Sequence, residues 1–193
     1  MDLIQLVLEL VKAKLDAFLG EAHEGHEGWV VLSNLVDHEG HPADGTKDKL
    51  VMYLANIQHE TVIGTPGRTA VMGSGQYSIV APPLYINLWL LIVANFSGKN
   101  YPDGLAMISR AIAFLHQNSY FTRENSPTLP AGIEKLALEM VNLDFTELNY
   151  LFGVSGAKYL PSVCYKIRLI PFRSDAVEGV LPTVKGLRAP QAE

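Results

Sequence analysis

The chain has 193 residues, 48% of them hydrophobic and only 18% charged, with a formal net charge of −5. That length is enough to bury well over half of the surface exposed by the unfolded chain; a surface this short of charge suits cover by partners, and the lack of any basic cluster excludes a nucleic-acid footprint, which works by counterion displacement. Cys164 is the only cysteine, which rules out an intrachain disulfide and favours a reducing compartment.

Residues 2–19 repeat Leu3, Leu6, Val7, Leu10, Val11, Lys14 and Phe18 at helical spacing, predicting an amphipathic helix stopped by Gly20. The apolar start Met1-Asp2-Leu3-Ile4 lacks the basic flank of a secretion signal. A polar loop at 21–28 leads to a first strand at Trp29-Val30-Val31-Leu32, followed by a Gly/Pro/Asp-rich loop at 37–45. Residues 49–58 predict a second strand, with Val51, Tyr53, Ala55 and Ile57 on one face and Met52 and Leu54 on the other.

The Gly-, Thr-, Pro- and Ser-rich stretch 61–76 predicts a hairpin tip or loop. After Pro82-Pro83 comes Leu84-Tyr85-Ile86-Asn87-Leu88-Trp89-Leu90-Leu91-Ile92-Val93, so continuously apolar that it predicts a central strand covered on both faces. Interrupted by Asn87 and Asn95, the run falls short of the about 20 residues of a helical membrane span, so no membrane insertion is expected. A helix follows from Tyr101 to about His116, with Leu105, Ile108, Ile112 and Leu115 inward.

Tyr120-Phe121-Thr122 predicts a short strand, and residues 133–142, whose pattern fits either period, are read as another. Asp144, with Glu147 three residues on, caps a short helix to Phe152. Residues 162–172 alternate Val163, Tyr165, Ile167 and Leu169 with Lys166 and Arg168, a half-buried final strand. The fold class is therefore α/β (α+β), a mixed, mainly antiparallel sheet flanked by helices in one domain over residues 1–172. Residues 173–193 read as a flexible tail ordered only by a partner.

Chemistry-bearing motifs are sparse. His23 and His26 precede the first strand and His38 and His41 follow it, two His-x-x-His pairs in glycine-containing loops. A metal-binding module or metal-dependent enzyme built on these four is the alternative to a pair of solvated loops, because zinc needs further ligands than one imidazole pair. Gly64-Thr65-Pro66-Gly67-Arg68-Thr69 lacks the Gly-Lys-Ser/Thr ending of a phosphate loop. No Gly-x-Ser-x-Gly elbow exists, and Glu134, Glu139, Asp144 and Glu147 read as a solvated face with a helix cap. No catalytic residue and no cofactor is assigned.

Four segments taken in order carry a resemblance: Val31-Leu32-Ser33-Asn34-Leu35-Val36-Asp37; Pro82-Pro83-Leu84-Tyr85-Ile86-Asn87-Leu88-Trp89 with Ala94-Asn95-Phe96-Ser97-Gly98-Lys99-Asn100-Tyr101; Gly132-Ile133-Glu134-Lys135-Leu136; and Leu143-Asp144-Phe145-Thr146-Glu147-Leu148-Asn149-Tyr150-Leu151-Phe152, continued by Lys158-Tyr159-Leu160-Pro161-Ser162-Val163. Over roughly residues 2–172 the chain resembles the N-terminal domain of the tail-terminator or cap proteins of extracellular contractile injection systems, the phage-tail-like particles. The resemblance implies a tail-terminator-like fold, no catalysis, and a homo-hexameric ring that closes the inner tube and touches the last sheath ring. It also implies assembly in the bacterial cytoplasm followed by residence in the particle; the terminator of a true phage tail is the neighbouring reading.

Ring closure needs head-to-tail contacts between unlike surfaces, and extended segments make such contacts by strand addition. The stretch 61–76 and the tail 173–193 are the expected contact segments, with Arg68, Val71, Met72, Val180 and Leu187 as contact residues.

Overall fold

The computed structural model describes residues 2–21, 28–61, 68–71, 77–80, 84–172 and 177–181. Two compact units are present, one made of Met1–His59 and Ile86–Ile170, the other of Glu60–Tyr85 and Pro171–Glu193.

The larger unit is built on a six-stranded sheet of order β1-β2-β5-β8-β7-β6. Its strands are β1 (Val30–Leu32), β2 (Lys49–His59), β5 (Leu84–Asn95), β6 (Tyr120–Thr122), β7 (Lys135–Val141) and β8 (Ser162–Phe172). β1 runs parallel to β2, whereas β2–β5, β6–β7 and β7–β8 are antiparallel. The Ala94 N–H donates to the Pro161 carbonyl at 2.9 Å, which sets the beginning of β8 beside the end of β5. The two outermost strands have three residues each, which leaves little edge open to stray pairing.

β5 is the interior strand its apolar run predicts. From Ile86 to Ala94 every residue but Trp89 is buried, which requires cover on both faces. On one face Val51, Leu91, Val93 and Cys164 pack with Leu35 and Phe152, joined by Trp89, Tyr53 and Val141. Strand alternation turns Leu50, Met52, Leu90 and Ile92 to the other face, where all four are fully buried. That second face belongs to α1 (Leu3–Glu21) and α2 (Tyr101–Gln117): α1 meets β1 and α2, and α2 meets β2. The Phe18 and Phe114 rings lie 5.0 Å apart across the two helices.

Both helices are rotated from the sequence expectation. In α1 the buried set is Leu3, Val7, Leu8, Leu10, Val11, Leu15 and Leu19, and Leu6 is half exposed. In α2 the inward residues are Met107, Ile108, Ala111, Phe114 and Leu115, leaving Leu105 exposed. Gly104 sets this rotation. A Cβ there would stand 2.7 Å from the Phe96 Cβ, so only glycine lets the first turn of α2 come this close.

The period-two reading of β2 holds through Tyr53 and then breaks. The β2–β5 register shifts between Leu54 and Asn56, leaving Ala55 as a bulge, and Asn56, Ile57, Gln58 and His59 beyond it are exposed. The Asp16 carboxylate of α1 accepts the N–H groups of Gly28 and Val30 at 2.9 Å each, tying the helix to the entrance of β1.

The smaller unit holds a three-stranded antiparallel sheet of order β3-β4-β9, formed by β3 (Arg68–Val71), β4 (Tyr77–Val80) and β9 (Val177–Leu181). β3 lies inside the stretch expected to be a hairpin tip or loop and pairs antiparallel with β4: its Arg-Thr-Ala-Val is a short β-competent run between glycines. Of residues 173–176 and 182–193 nothing is described; the intervening segment pairs along β4, with Tyr77 opposite Leu181 and Ser78 opposite Val180.

Candidate functional site

The histidine readings separate at once. His23 and His26 lie outside the described residues. His41 stands 3.7 Å from Asp37 and 3.6 Å from Glu39 in an exposed loop, where Asp37 Oδ1 also accepts the N–H groups of Glu39 and His41. Among the described residues no group of three His, Cys, Asp or Glu side chains could hold a metal ion. Three of the four acids Glu134, Glu139, Asp144 and Glu147 have structural partners. Asp144 and Glu147 form a capping box, with each carboxylate accepting the other's backbone N–H at 2.8 and 2.9 Å, and Glu139 pairs with Arg168 at 3.2 Å. A cavity of about 550 Å³ between the start of β1 and α2 is lined by Asp48, Asn100, Asp103 and Arg110 beside Trp29, Phe96 and Met107, and among the described residues its lining has no serine, threonine, cysteine or histidine.

The expected contact residues fall mostly in the three-stranded sheet. Arg68 and Val71 bound β3, opposite Val80 and Tyr77, and Val180 lies in β9. Two segments far apart in sequence are thus joined through β4. Met72 and Leu187 lie outside the described residues.

A different surface was missed by the sequence reading. α3 (Phe145–Ser155) starts at the Asp144 box and ends at Gly156, whose φ of 71° is the left-handed conformation that glycine adopts without strain. Leu148, Leu151 and Phe152 turn inward onto Leu35, Leu91 and Cys164, yet Phe152 is the helix's only buried residue. Outward, Phe145 is 91% exposed, Tyr150 68% and Val154 86%. Tyr159, also exposed, meets the Phe152 ring edge-on at 5.4 Å. Clefts of about 170 and 190 Å³ flank the helix, both reaching Leu143 and Cys164, so α3 sits lightly on its sheet. Beneath it, burial pushes the Cys164 thiol up to about 11 and keeps it neutral. The sequence did carry a signal: Phe145, Tyr150 and Val154 add apolar side chains to α3 beyond the inward stripe of Leu148, Leu151 and Phe152, a pattern that calls for cover on a second side.

The model of the Pvc16 N-terminal domain family matches residues 5–185. A cryo-EM structure of an extracellular contractile injection system, the PVC sheath/tube terminator in its extended state, is similar with a TM-score of 0.67 at 13% identity, over 98% of this chain and 63% of that one. The anti-feeding prophage cap, a tube terminating cap, is similar with a TM-score of 0.60 at 14% identity, over 98% of this chain and 60% of that one. The chain therefore spans less than two thirds of the length of either solved protein, and the likeness is one of fold. No curated protein sequence matches it.

Proposed function

We propose, because the chain belongs to the Pvc16 N-terminal domain family, that it is a structural cap subunit, the tail terminator of a contractile injection system. In this reading copies of the chain form a ring that ends the inner tube and meets the sheath. The observation that carries it is the match of nearly the whole chain, at a TM-score of 0.67, to a sheath/tube terminator. The physical character of the chain supports it: low charge for its length, and large apolar side chains left uncovered on a helix. Among the described residues no helix is long and apolar enough to cross a membrane, in keeping with a particle component.

The ring is a homo-hexamer assembled in the bacterial cytoplasm before the particle is complete, and its subunits act without catalysis. β3 and β9 are the outer strands of their sheet, so strand addition by a neighbour would engage Arg68, Val71 and Val180 as contact residues; Met72 and Leu187, outside the described residues, are proposed with them as neighbours in sequence. Deleting the gene in the producing bacterium tests the role. Electron micrographs should show tubes and sheaths of uncontrolled length without a closed end, and particles of normal length with a normal cap would overturn it. Deleting residues 61–76 should leave a folded protein of lower oligomeric order by sedimentation; unchanged hexamers would refute those contacts.

A further inference from the structure

The outward side of α3 is rich in uncovered apolar side chains: Phe145, Tyr150 and Val154 are exposed there beside Thr146 and Asn149, and the one charge, Glu147, is held in the capping box at the helix start. Aromatic residues with few charges are the composition of the centre of a protein interface. Phe145, Tyr150, Val154 and Tyr159 together offer on the order of 500 Å², most of the ~800 Å² that one partner contributes to a standard interface.

Gly153 adds an independent observation. It lies within α3, is exposed, and a Cβ built on it meets nothing within 4 Å; its φ is not in the left-handed range. Among the described residues nothing requires glycine there, and glycine disfavours a helix relative to alanine. Between Tyr150 and Val154, its missing side chain opens a notch into which an opposing backbone or small side chain can come close.

A matching surface stands on the other side of the sheet. The outward side of α2 carries Tyr101, Leu105, Ala106, Ser109 and Ala113, all exposed. Small and apolar residues make up most of it, with His116 and Gln117 exposed at its C-terminal end, and the Ser109 hydroxyl already donates to the Leu105 carbonyl at 2.7 Å, so cover there does not strand that donor. α3 packs on the Val51–Leu91 face of the sheet and α2 belongs to the opposite one. Two unlike apolar faces on opposite sides of one sheet suit a head-to-tail contact that repeats, which is the contact a closed ring needs.

We propose that the outward face of α3, centred on Tyr150, Gly153 and Val154, docks on the outward face of α2, around Leu105 and Ser109, of a second copy of this chain. The proposal rests on the ring reading above and deepens it by naming the faces.

The test uses the full chain in sedimentation velocity and thermal unfolding. Val154→Asp spoils the α3 face and Leu105→Asp the α2 face. Each should keep the wild-type unfolding midpoint and weaken self-association by at least about tenfold. An equimolar mixture of the two should give heterodimers and nothing larger, because one intact α3 face and one intact α2 face remain. Gly153→Ala should raise the thermal midpoint by about 2–4 °C and weaken association at the same time, a combination that a purely structural glycine would not give. A self-associating wild type whose assembly ignores both Asp variants, or whose mixed variants stay monomeric, overturns the docking faces and leaves the ring reading standing. A wild type monomeric at every concentration overturns both.

Discussion

β5 and α3 both carry large apolar side chains on more than one side, yet the chain treats them oppositely. Along β5 the chain supplies cover on both faces, with Leu88, Leu90, Ile92 and Val93 at 0% exposure. Around α3 it supplies cover on one side only, burying Phe152 and leaving Phe145, Tyr150 and Val154 to the outside. The difference teaches that apolar content alone does not locate a core. It locates surface that must be covered, and the chain's own elements decide how much of the covering is done within the monomer. What remains is the surface that assembly can use.

The contrast can be broken hardest on its closed side. Ile92→Ala removes a side chain with no exposed surface and should cost about 2–5 kcal/mol, read as a lower midpoint in urea unfolding. Gly104→Ala sharpens the same point from the opposite direction. Its new methyl meets Phe96 at 2.7 Å, and overpacking of this kind should cost about 1–3 kcal/mol although α2 gains helix propensity. An unchanged or raised unfolding midpoint for Gly104→Ala would show that Phe96 can give way.

Much of the closed side was legible in the sequence, because residues that the chain covers itself leave regular patterns. The unbroken run of β5 and the Asp144–Glu147 box each report a local physical requirement, whereas the pattern at 133–142 fits helix and strand alike and only pairing with β6 and β8 decides it. The open side was illegible for the same reason. Leu105 continues the helical stripe of α2, and only the close approach of Gly104 to Phe96, a contact between separate elements, turns it outward. The Ala55 bulge depends on the length of β2 relative to β5, and β9 on pairing with β4 nearly 100 residues earlier. Of the contact residues read from sequence, Arg68, Val71 and Val180 do come into one sheet, but Tyr150 and Val154 went unnoticed because the helix they sit on looked complete once capped.

Cys164 lies where the two regimes meet, under α3 and beside β5, and offers a pH-dependent probe. Burial raises its thiol in the folded chain from 9.0 to about 11. Below pH 9 both states hold the proton and the shift changes nothing. Between about pH 9 and 11 the unfolded chain loses it while the folded chain keeps it, so stability should fall by on the order of 1.4 kcal/mol per pH unit. Tyr165, whose phenol is also raised by burial, adds a fall of the same sign. Urea titrations at several pH values should therefore give a shallower alkaline slope for Cys164→Ala than for the wild type, and equal slopes would mean that the thiol is solvated in the folded state. A smaller loss is expected for Asp144→Ala, which removes the carboxylate that accepts the Glu147 N–H but keeps the backbone N–H that donates to Glu147, and should cost about 1 kcal/mol, visible as faster amide exchange in α3.

The smallest expected effect is the most informative. Val154→Thr conserves volume and shape at a position 86% exposed, so its stability change in the isolated chain should lie within about 0.5 kcal/mol of zero. In the assembled state the same hydroxyl would be pressed into an apolar contact, where an unpaired polar group costs about 1–3 kcal/mol. The two figures differ only because a partner is present in one of them. Thermal unfolding at low concentration should therefore not distinguish Val154→Thr from wild type, while sedimentation at high concentration should. Ile92→Ala should lower the unfolding midpoint at every concentration, since the cover over β5 comes from its own chain.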